Sequence, residues 1–370
     1  VSGPRVALLT YSTKPRGGVV HTLALAEALV RAGATVDVWT LARGGDAGFF
    51  RSVDPAVGVR AVPFADLGPD EPFGSRMSRS IDVLAAAFGP GRSAYEVVHA
   101  QDCLSANAAL RSGPCRRTVH HLDTFTTPEL VACHDRAVAQ PRHLLCVSAA
   151  VQAEVRAGWG REAVVVPNGV DAARFEAGAA DRAGRARWRE RLGDYLLAVG
   201  GIEPRKGTLD LLEAYAQLRA RRPGLRLVLA GGETLFDHRP YRDRFHARAA
   251  ELGVEPEVLG VVPEADLPSL VAEAAALPFL STQEGFGLAA LEALAAGTPV
   301  VARRLPVLHE VLGDVVAYAD PAAGPAATAA VLERVLAAPP DPAPGRALAR
   351  SYTWDAAARA HLDWYAAGGV

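Results

Sequence analysis

The chain has 370 residues, half of them hydrophobic and 22% charged, with a formal net charge of −2. That length exceeds one ordinary compact domain, so two are expected, and the balanced charge argues against a nucleic-acid-binding surface. Cys103, Cys115, Cys133 and Cys146 form no Cys-x-x-Cys or Cys/His cluster, which argues against zinc and for reduced thiols in a cytoplasmic protein.

Taken in order, Arg5–Tyr11 reads as a buried strand. Lys14-Pro-Arg-Gly-Gly18 is a flexible loop, Val19–Arg31 an amphipathic helix closed by Gly33, and Thr35–Leu41 the next strand. This is a βαβ start with glycines at its first turn. Val59–Pro63 reads as a strand, Arg76–Phe88 as a helix, Val97–Ala100 as a strand and Cys103–Arg111 as a helix. Arg117–His121 reads as a strand ending in two histidines. Helix Pro128–Ala139, strand His143–Val147, helix Ala149–Gly158 and strand Ala163–Val166 follow.

An arginine- and alanine-rich segment to Leu192 reads as a join. The pattern then restarts with strand Tyr195–Val199, loop Gly200–Gly207, helix Thr208–Arg221 and strand Leu225–Ala230. Helix up to Leu252, strand Val258–Gly260 and helix Ala265–Ala275 come next. Pro321–Pro325 and Pro339–Pro344 read as loops around helix Ala326–Ala337, and Trp354–Ala367 as a final helix. Two α/β domains in tandem fit this order. No apolar run reaches the roughly 18 residues of a membrane span, and no signal-peptide core is expected; peripheral membrane contact remains compatible with the sequence.

The most informative stretch is Ser281–Val301. A short strand leads into Glu284-Gly-Phe-Gly287, then a helix over Leu288–Ala296 stopped by Gly297 and Pro299. Its helix N-terminus suits an anion, typically a phosphate. Glu284 and Glu292 flank that end, roughly 12 Å apart if the span were helical. The same pattern also fits an ordinary buried helix with two solvated glutamates.

Glu284-Gly-Phe-Gly-Leu-x-x-x-Glu292 resembles the E-x7-E signature of family 4 glycosyltransferases. Gly17-Gly18, Val166-Pro-Asn-Gly-Val-Asp171, Val199-Gly-Gly-Ile-Glu-Pro-Arg-Lys-Gly207 and Gly260-Val-Val-Pro263 resemble further segments of that family, in the same order. The resemblance spans nearly the whole chain and is nearest an actinobacterial subgroup. It implies an α/β GT-B fold, two Rossmann-like domains facing across a cleft, with a C-terminal helix crossing back. The expected domains are 1–175 with 352–370, for the acceptor, and 176–351, for the nucleotide-sugar donor.

The resemblance also implies roles. Lys206, one of only two lysines, would contact the donor diphosphate as a compact cation, aided by Arg205, Gly18 and the amides of Leu288 and Ala289. Gly201 stands where the family usually has arginine, which leaves one phosphate charge to another group. Glu284 and His120 would be catalytic. Glu284, Gly285, Phe286 and Gly287 would hold the donor sugar, Glu292 the ribose, and Val261 and Val262 the base. His120 is preferred to His121 because side chains alternate along a strand. Asp123 and Thr124 would line the acceptor side, with His21, His99 and Asp102 structural or acceptor-facing.

The implied function is a retaining, cytoplasmic hexosyltransferase. It would move a sugar from a nucleoside diphosphate, UDP favoured, to an unidentified hydroxyl acceptor, with no metal or other cofactor. The rivals are a nucleotide-sugar epimerase on the same fold and a non-catalytic nucleotide-sugar-binding protein.

Overall fold

A computed structural model of the chain describes residues 3–45, 47–65, 67–68, 71–123, 127–232 and 238–367; Thr124 lies outside them. The chain divides into two compact units, residues 1–169 with 353–370, and residues 170–352. Among the described residues no helix is long and apolar enough to cross a membrane.

The first unit is built on seven strands: β1 (Arg5–Leu9), β2 (Thr35–Arg43), β3 (Gly58–Phe64), β4 (Val97–Ala100), β5 (Arg116–Val119), β6 (His143–Cys146) and β7 (Ala163–Val165). All pair in parallel, in the order β3-β2-β1-β4-β5-β6-β7. Helices on both faces explain why β1 after Arg5 and the whole of β4 are continuously buried rather than alternating. The histidine pair differs from the expectation. β5 ends at Val119, so His120 and His121 follow the strand, and strand alternation does not decide which of them is turned where.

Helix Trp354–Ala367 belongs to this unit because of its apolar stripe. Ala357, Ala358, Trp364 and Tyr365 share a core with Leu25, Ala26 and Leu29 of helix Gly17–Arg31. Polar contacts set its register. His99 Nδ1 lies 2.8 Å from the Tyr365 hydroxyl, and His99 Nε2 lies 2.8 Å from Thr118 Oγ1. Arg116 donates to the carbonyls of Trp364 and Tyr365 at 3.2 and 2.9 Å. Tyr365→Phe removes one buried hydrogen bond and leaves His99 Nδ1 without a partner. The expected loss is about 1–2 kcal/mol, read as a lowered urea midpoint by tryptophan fluorescence. An unchanged midpoint would show that apolar packing alone seats the helix.

The second unit holds two three-stranded parallel ladders. One is β10-β9-β8, from β8 (Tyr195–Val199), β9 (Arg226–Ala230) and β10 (Glu257–Gly260). The other is β11-β12-β13, from β11 (Leu277–Phe279), β12 (Val300–Arg303) and β13 (Ala317–Ala319). A parallel bridge between Leu196 and Ala276 joins them, with the Ala275 amide donating to the Tyr195 carbonyl at 2.8 Å and the Leu197 amide to the Ala276 carbonyl at 3.1 Å. Read across that bridge, the order is the doubly wound 3-2-1-4-5-6 pattern, with its switch point between β8 and β11.

Two segments depart from their sequence reading. The supposed join forms helices Ala172–Ala180 and Arg182–Leu192, each capped by an aspartate, Asp171 and Asp181. The first packs so closely on helix Leu267–Glu273 that a Cβ on Gly178 would stand 2.3 Å from Pro268 Cβ. The proline-rich stretch read as a loop starts helix Pro342–Ser351, capped by Asp341 with Pro342 at its first position. Proline is favoured there because its missing N–H has no helical partner to lose. Pro306 opens helix Pro306–Leu312 in the same way.

Candidate active site

Ligands of doubly wound sheets bind beyond the carboxyl ends of the strands at the switch point. In the second unit the chain segments there are 200–207, after β8, and 280–287, after β11. They are tightly joined. The Thr282 amide donates to the Arg205 carbonyl at 2.8 Å, and Arg205 Nη1 to the Gln283 carbonyl at 3.4 Å. Gly207 has φ +63°, and a Cβ there would stand 2.2 Å from the Leu280 carbonyl oxygen. Both the left-handed backbone and the close approach require glycine.

This junction brings Lys206 to Glu284. Lys206 Nζ donates to Glu284 Oε2 at 3.0 Å and lies 5.3 Å from the centre of the Phe279 ring. Arg205 Nη1 is 3.5 Å from the same carboxylate oxygen, and its Nη2 is 3.5 Å from Glu203 Oε1. The pair is partly buried. The resemblance assigns Lys206 to the diphosphate and Glu284 to the sugar; here the carboxylate answers both cations itself. With glycine at 201, Arg205 is the second cation at this point. Arg303 is committed elsewhere, donating to the Leu280 carbonyl and pairing with Asp210.

Helix Leu288–Ala296 starts beside that pair. Gly287 enters it at φ +97° with no side-chain cap; its carbonyl accepts from the Ala290 and Leu291 amides at 3.0 and 3.2 Å, which leaves the Leu288 and Ala289 amides for an outside acceptor. The Gly285 amide donates to Glu284 Oε1 at 3.3 Å. The Phe286 ring is buried, edge-on to Tyr352 with centroids 5.3 Å apart, so the ring is taken up in packing.

Glu292 lies in the second turn of this helix. Its carboxyl is pushed up to about 8, first by burial; Arg174 opposes the shift, and Glu264 and Asp171 add to it. Arg174 is itself engaged by Glu264, at 2.8 Å to its carboxylate and 2.5 Å to its carbonyl. Among the described residues nothing donates a hydrogen bond to Glu292. Val261 follows β10 and is 55% exposed, an apolar surface beside Gly232, where a Cβ would stand 2.6 Å from Val261 Cγ2. Val262 is half-buried.

In the first unit, Gly17-Gly18 follows β1 and opens helix Gly17–Arg31. A Cβ on Gly18 would make only ordinary contact, 3.6 Å from His120 Cδ2, so the protein itself does not demand glycine there. His120 Nε2 is buried without a partner. Burial first, then His121, Arg117, His99 and His361, lower its pKa to about 3, so the ring is neutral at pH 7. His121 Nε2 is 3.0 Å from Asp123 Oδ2. His21 Nδ1 is held by Asn168 at 2.9 Å. Asp102 caps helix Cys103–Leu110 and accepts from the Tyr11 amide at 3.1 Å. Asn168 and Arg174, which act on His21 and Glu292, carry no signal of their own in the sequence beyond lying in or beside the Pro167–Asp171 turn.

Two Rossmann-order units, one with a lysine, an arginine and an uncapped helix end at its switch point, define an α/β protein of the nucleotide-binding kind. Family models described as "Glycosyltransferase Family 4" and "Glycosyl transferases group 1" match residues 15–174 and 187–346. A D-inositol 3-phosphate glycosyltransferase of Xylanimonas cellulosilytica is 32% identical, over 98% of this chain and 97% of that protein. An MMP alpha-(1->4)-mannosyltransferase of Mycolicibacterium hassiacum is 29% identical, over 84% and 83%. Anabaena HepE, solved in complex with UDP and glucose, has the same fold, with TM-score 0.75 and 20% identity over 98% of this chain and all of that one. Sucrose-phosphate synthase from Thermosynechococcus elongatus also shares it, with TM-score 0.76 and 19% identity over 98% of each. The chain belongs to glycosyltransferase family 4 and is a glycosyltransferase of GT-B fold.

Proposed function

We propose that the protein moves a sugar from a nucleoside diphosphate, UDP by preference, to a hydroxyl acceptor with retention at the anomeric carbon. The observation that carries this reading is the Lys206–Glu284 pair, with Arg205, beside the uncapped start of helix Leu288–Ala296. In the free protein the Glu284 carboxylate occupies the cations that a diphosphate needs. An arriving donor diphosphate takes over Lys206 and Arg205, and its oxygens also accept from the Leu288 and Ala289 amides. Glu284 is then free for a sugar hydroxyl. Glu292 takes the ribose, Val261 and Val262 the base. The roles that the resemblance gives Gly18 and His120 are part of the proposal, with the neutral imidazole as a hydrogen-bonding group.

In this chemistry the bond from the anomeric carbon to the β-phosphate oxygen breaks, and a bond to the acceptor oxygen forms on the same face. The departing phosphate oxygen takes the acceptor proton. Its developing charge is met by fixed cations and amides, so no metal or other cofactor is assigned to the step. A thermal-shift screen over UDP, GDP, ADP and TDP identifies the base, since a ligand that binds only the folded chain raises its melting temperature. The matching nucleotide sugar should be slowly hydrolysed by the wild type and not by Glu284→Ala. Undiminished hydrolysis in that variant removes Glu284 from the site, and isomerised donor without transfer means an epimerase instead.

A further inference from the structure

Two helices of the first unit meet at a pair of thiols. Cys103 is the first residue of helix Cys103–Leu110, just after its cap Asp102, and Cys133 lies in the middle of helix Pro128–Ala139. Cys133 Sγ stands 3.8 Å from the Cys103 carbonyl oxygen, across 30 positions of sequence, and the two thiols hydrogen-bond to each other. Neighbouring polar groups hold this arrangement. Arg136 Nε donates to Asn107 Oδ1 at 3.0 Å, which turns the amide end of that side chain toward the cysteines. Asn107 Nδ2 then donates to the carbonyls of Cys103 and Cys133, both at 2.8 Å, and to Cys133 Sγ at 3.3 Å. An N–H aimed at sulfur favours the thiolate over the thiol.

A buried cation acts on the same sulfurs. Arg117, on β5, is 4% exposed, and its Nε and Nη1 have no hydrogen-bond partner. Among the described residues it forms no ion pair with a carboxylate, and Asp102 is occupied by the Tyr11 and Ser105 amides. Of the negative groups that act on the guanidinium, Cys103 is the strongest, ahead of Asp102 and Cys133. A guanidinium keeps its proton when buried, so its charge calls for an anion. One thiolate shared between Cys103 and Cys133 supplies it. The hydrogen bond from Cys103 holds Cys133 below the ordinary thiol value against burial, and Arg136 and Arg117 act in the same direction. Burial instead pushes Cys115 and Cys146 up to about 12. Cys103 is the partly exposed member of the four; the other three are buried.

We propose that Cys103 and Cys133 form a reversible oxidation site, a dithiol that hydrogen peroxide converts to a disulfide joining the two helices. The proton between the sulfurs passes to Cys133, which leaves the partly exposed Cys103 as the thiolate. That sulfur attacks one peroxide oxygen, the O–O bond breaks and hydroxide leaves, so Cys103 becomes a sulfenic acid. The Cys133 sulfur then attacks the Cys103 sulfur. The S–O bond breaks, and the departing hydroxide takes the Cys133 proton and leaves as water. The two thiols lose two electrons and one peroxide gains them. A dithiol reductant reverses the change by exchange. The disulfide pins the capped start of helix Cys103–Leu110, and Asp102 with it, to helix Pro128–Ala139.

The test treats the folded full chain with hydrogen peroxide in small excess, removes the excess with catalase, unfolds the chain in iodoacetamide and maps its peptides without reduction. The expected product is a linked Cys103–Cys133 peptide that disappears with dithiothreitol, while Cys115 and Cys146 are recovered alkylated. Cys133→Ser should leave Cys103 as a sulfenic acid that dimedone captures, and Cys103→Ser should leave Cys133 unmodified. Arg117→Gln should slow disulfide formation about tenfold or more. Arg136→Ala, at an exposed residue, should slow it about threefold, and it keeps the test open where Arg117→Gln fails to fold. A linkage to Cys115 or Cys146, a disulfide-linked dimer, a wild type that stops at sulfinic acid, or a wild type that does not react each overturns the proposal. Rates unchanged in Arg136→Ala and in a folded Arg117→Gln overturn the part given to the cations.

Discussion

Lys206→Ala should weaken binding of the matching nucleoside diphosphate on the order of 100-fold while changing nucleoside binding less than about threefold. Lys206 Nζ and Arg205 Nη1 both address Glu284 Oε2, at 3.0 and 3.5 Å. A charge-assisted hydrogen bond contributes about 1.5–3 kcal/mol, and a lysine at a diphosphate also supplies a full charge in a partly buried place. Arg205 remains in the variant, so Glu284 keeps one cation and the local structure survives. The converse change separates the two partners. Glu284→Gln should hold the bare diphosphate at least as tightly as the wild type, because the internal competitor for Lys206 is gone, while donor hydrolysis falls. Calorimetry with diphosphate and nucleoside on each variant checks both statements. Equal losses for nucleoside and diphosphate in Lys206→Ala would contradict the phosphate contact.

The second large effect is a dependence on pH through Glu292. Its carboxyl has a folded pKa of about 8, above the ordinary glutamate value of about 4.3 in an unfolded chain. The folded protein therefore binds more protons than the unfolded chain between those values. Stability from this group is fully present below about pH 4.3 and is lost as pH rises through about 8, with a slope of at most about 1.4 kcal/mol per unit. The residue is partly exposed, and solvent screening there narrows the shift and so the total loss. Urea unfolding at pH 5.5 and 8.5 should show the loss in the wild type, and Glu292→Gln should lack that part of it. An identical difference in both proteins would mean that Glu292 keeps its ordinary titration.

The same group couples to the ligand. Ribose hydroxyls donate best to a carboxylate, so a ribonucleoside diphosphate should gain affinity over its deoxyribose analogue as pH rises from 6 to 8. The diphosphate's own titration is common to both and cancels in the ratio. A ratio that stays flat across this range would remove Glu292 from the ribose.

Much of the framework was legible because it rests on local chemistry. Helix Leu288–Ala296 begins and ends where read, since Gly287 and Gly297 take left-handed backbone at its two ends. The helices Pro128–Ala139, Thr208–Arg221 and Trp354–Ala367 also have the bounds their patterns imply. Errors arose where one local signal serves two structures. Proline punctuates a loop and equally starts a helix, so Pro339–Pro344 reads as a loop while helix Pro342–Ser351 begins inside it. Two histidines after the β-branched pair Thr118-Val119 look like strand residues, yet β5 stops before them. The arginine-rich stretch before Leu192 was read as a join and is two capped helices.

The residue types of the site, a lysine in a glycine loop and two glutamates around an exposed helix end, were set by sequence because backbone geometry and charge are properties of short segments. That Lys206 and Glu284 share a hydrogen bond was decided by the sheet, which brings the ends of β8 and β11 together across 78 positions. The raised Glu292 carboxyl was likewise decided by burial and by Arg174 being held by Glu264. Sequence specifies which groups are available; desolvation and counter-charge, which exist only once distant segments pack, determine what those groups do.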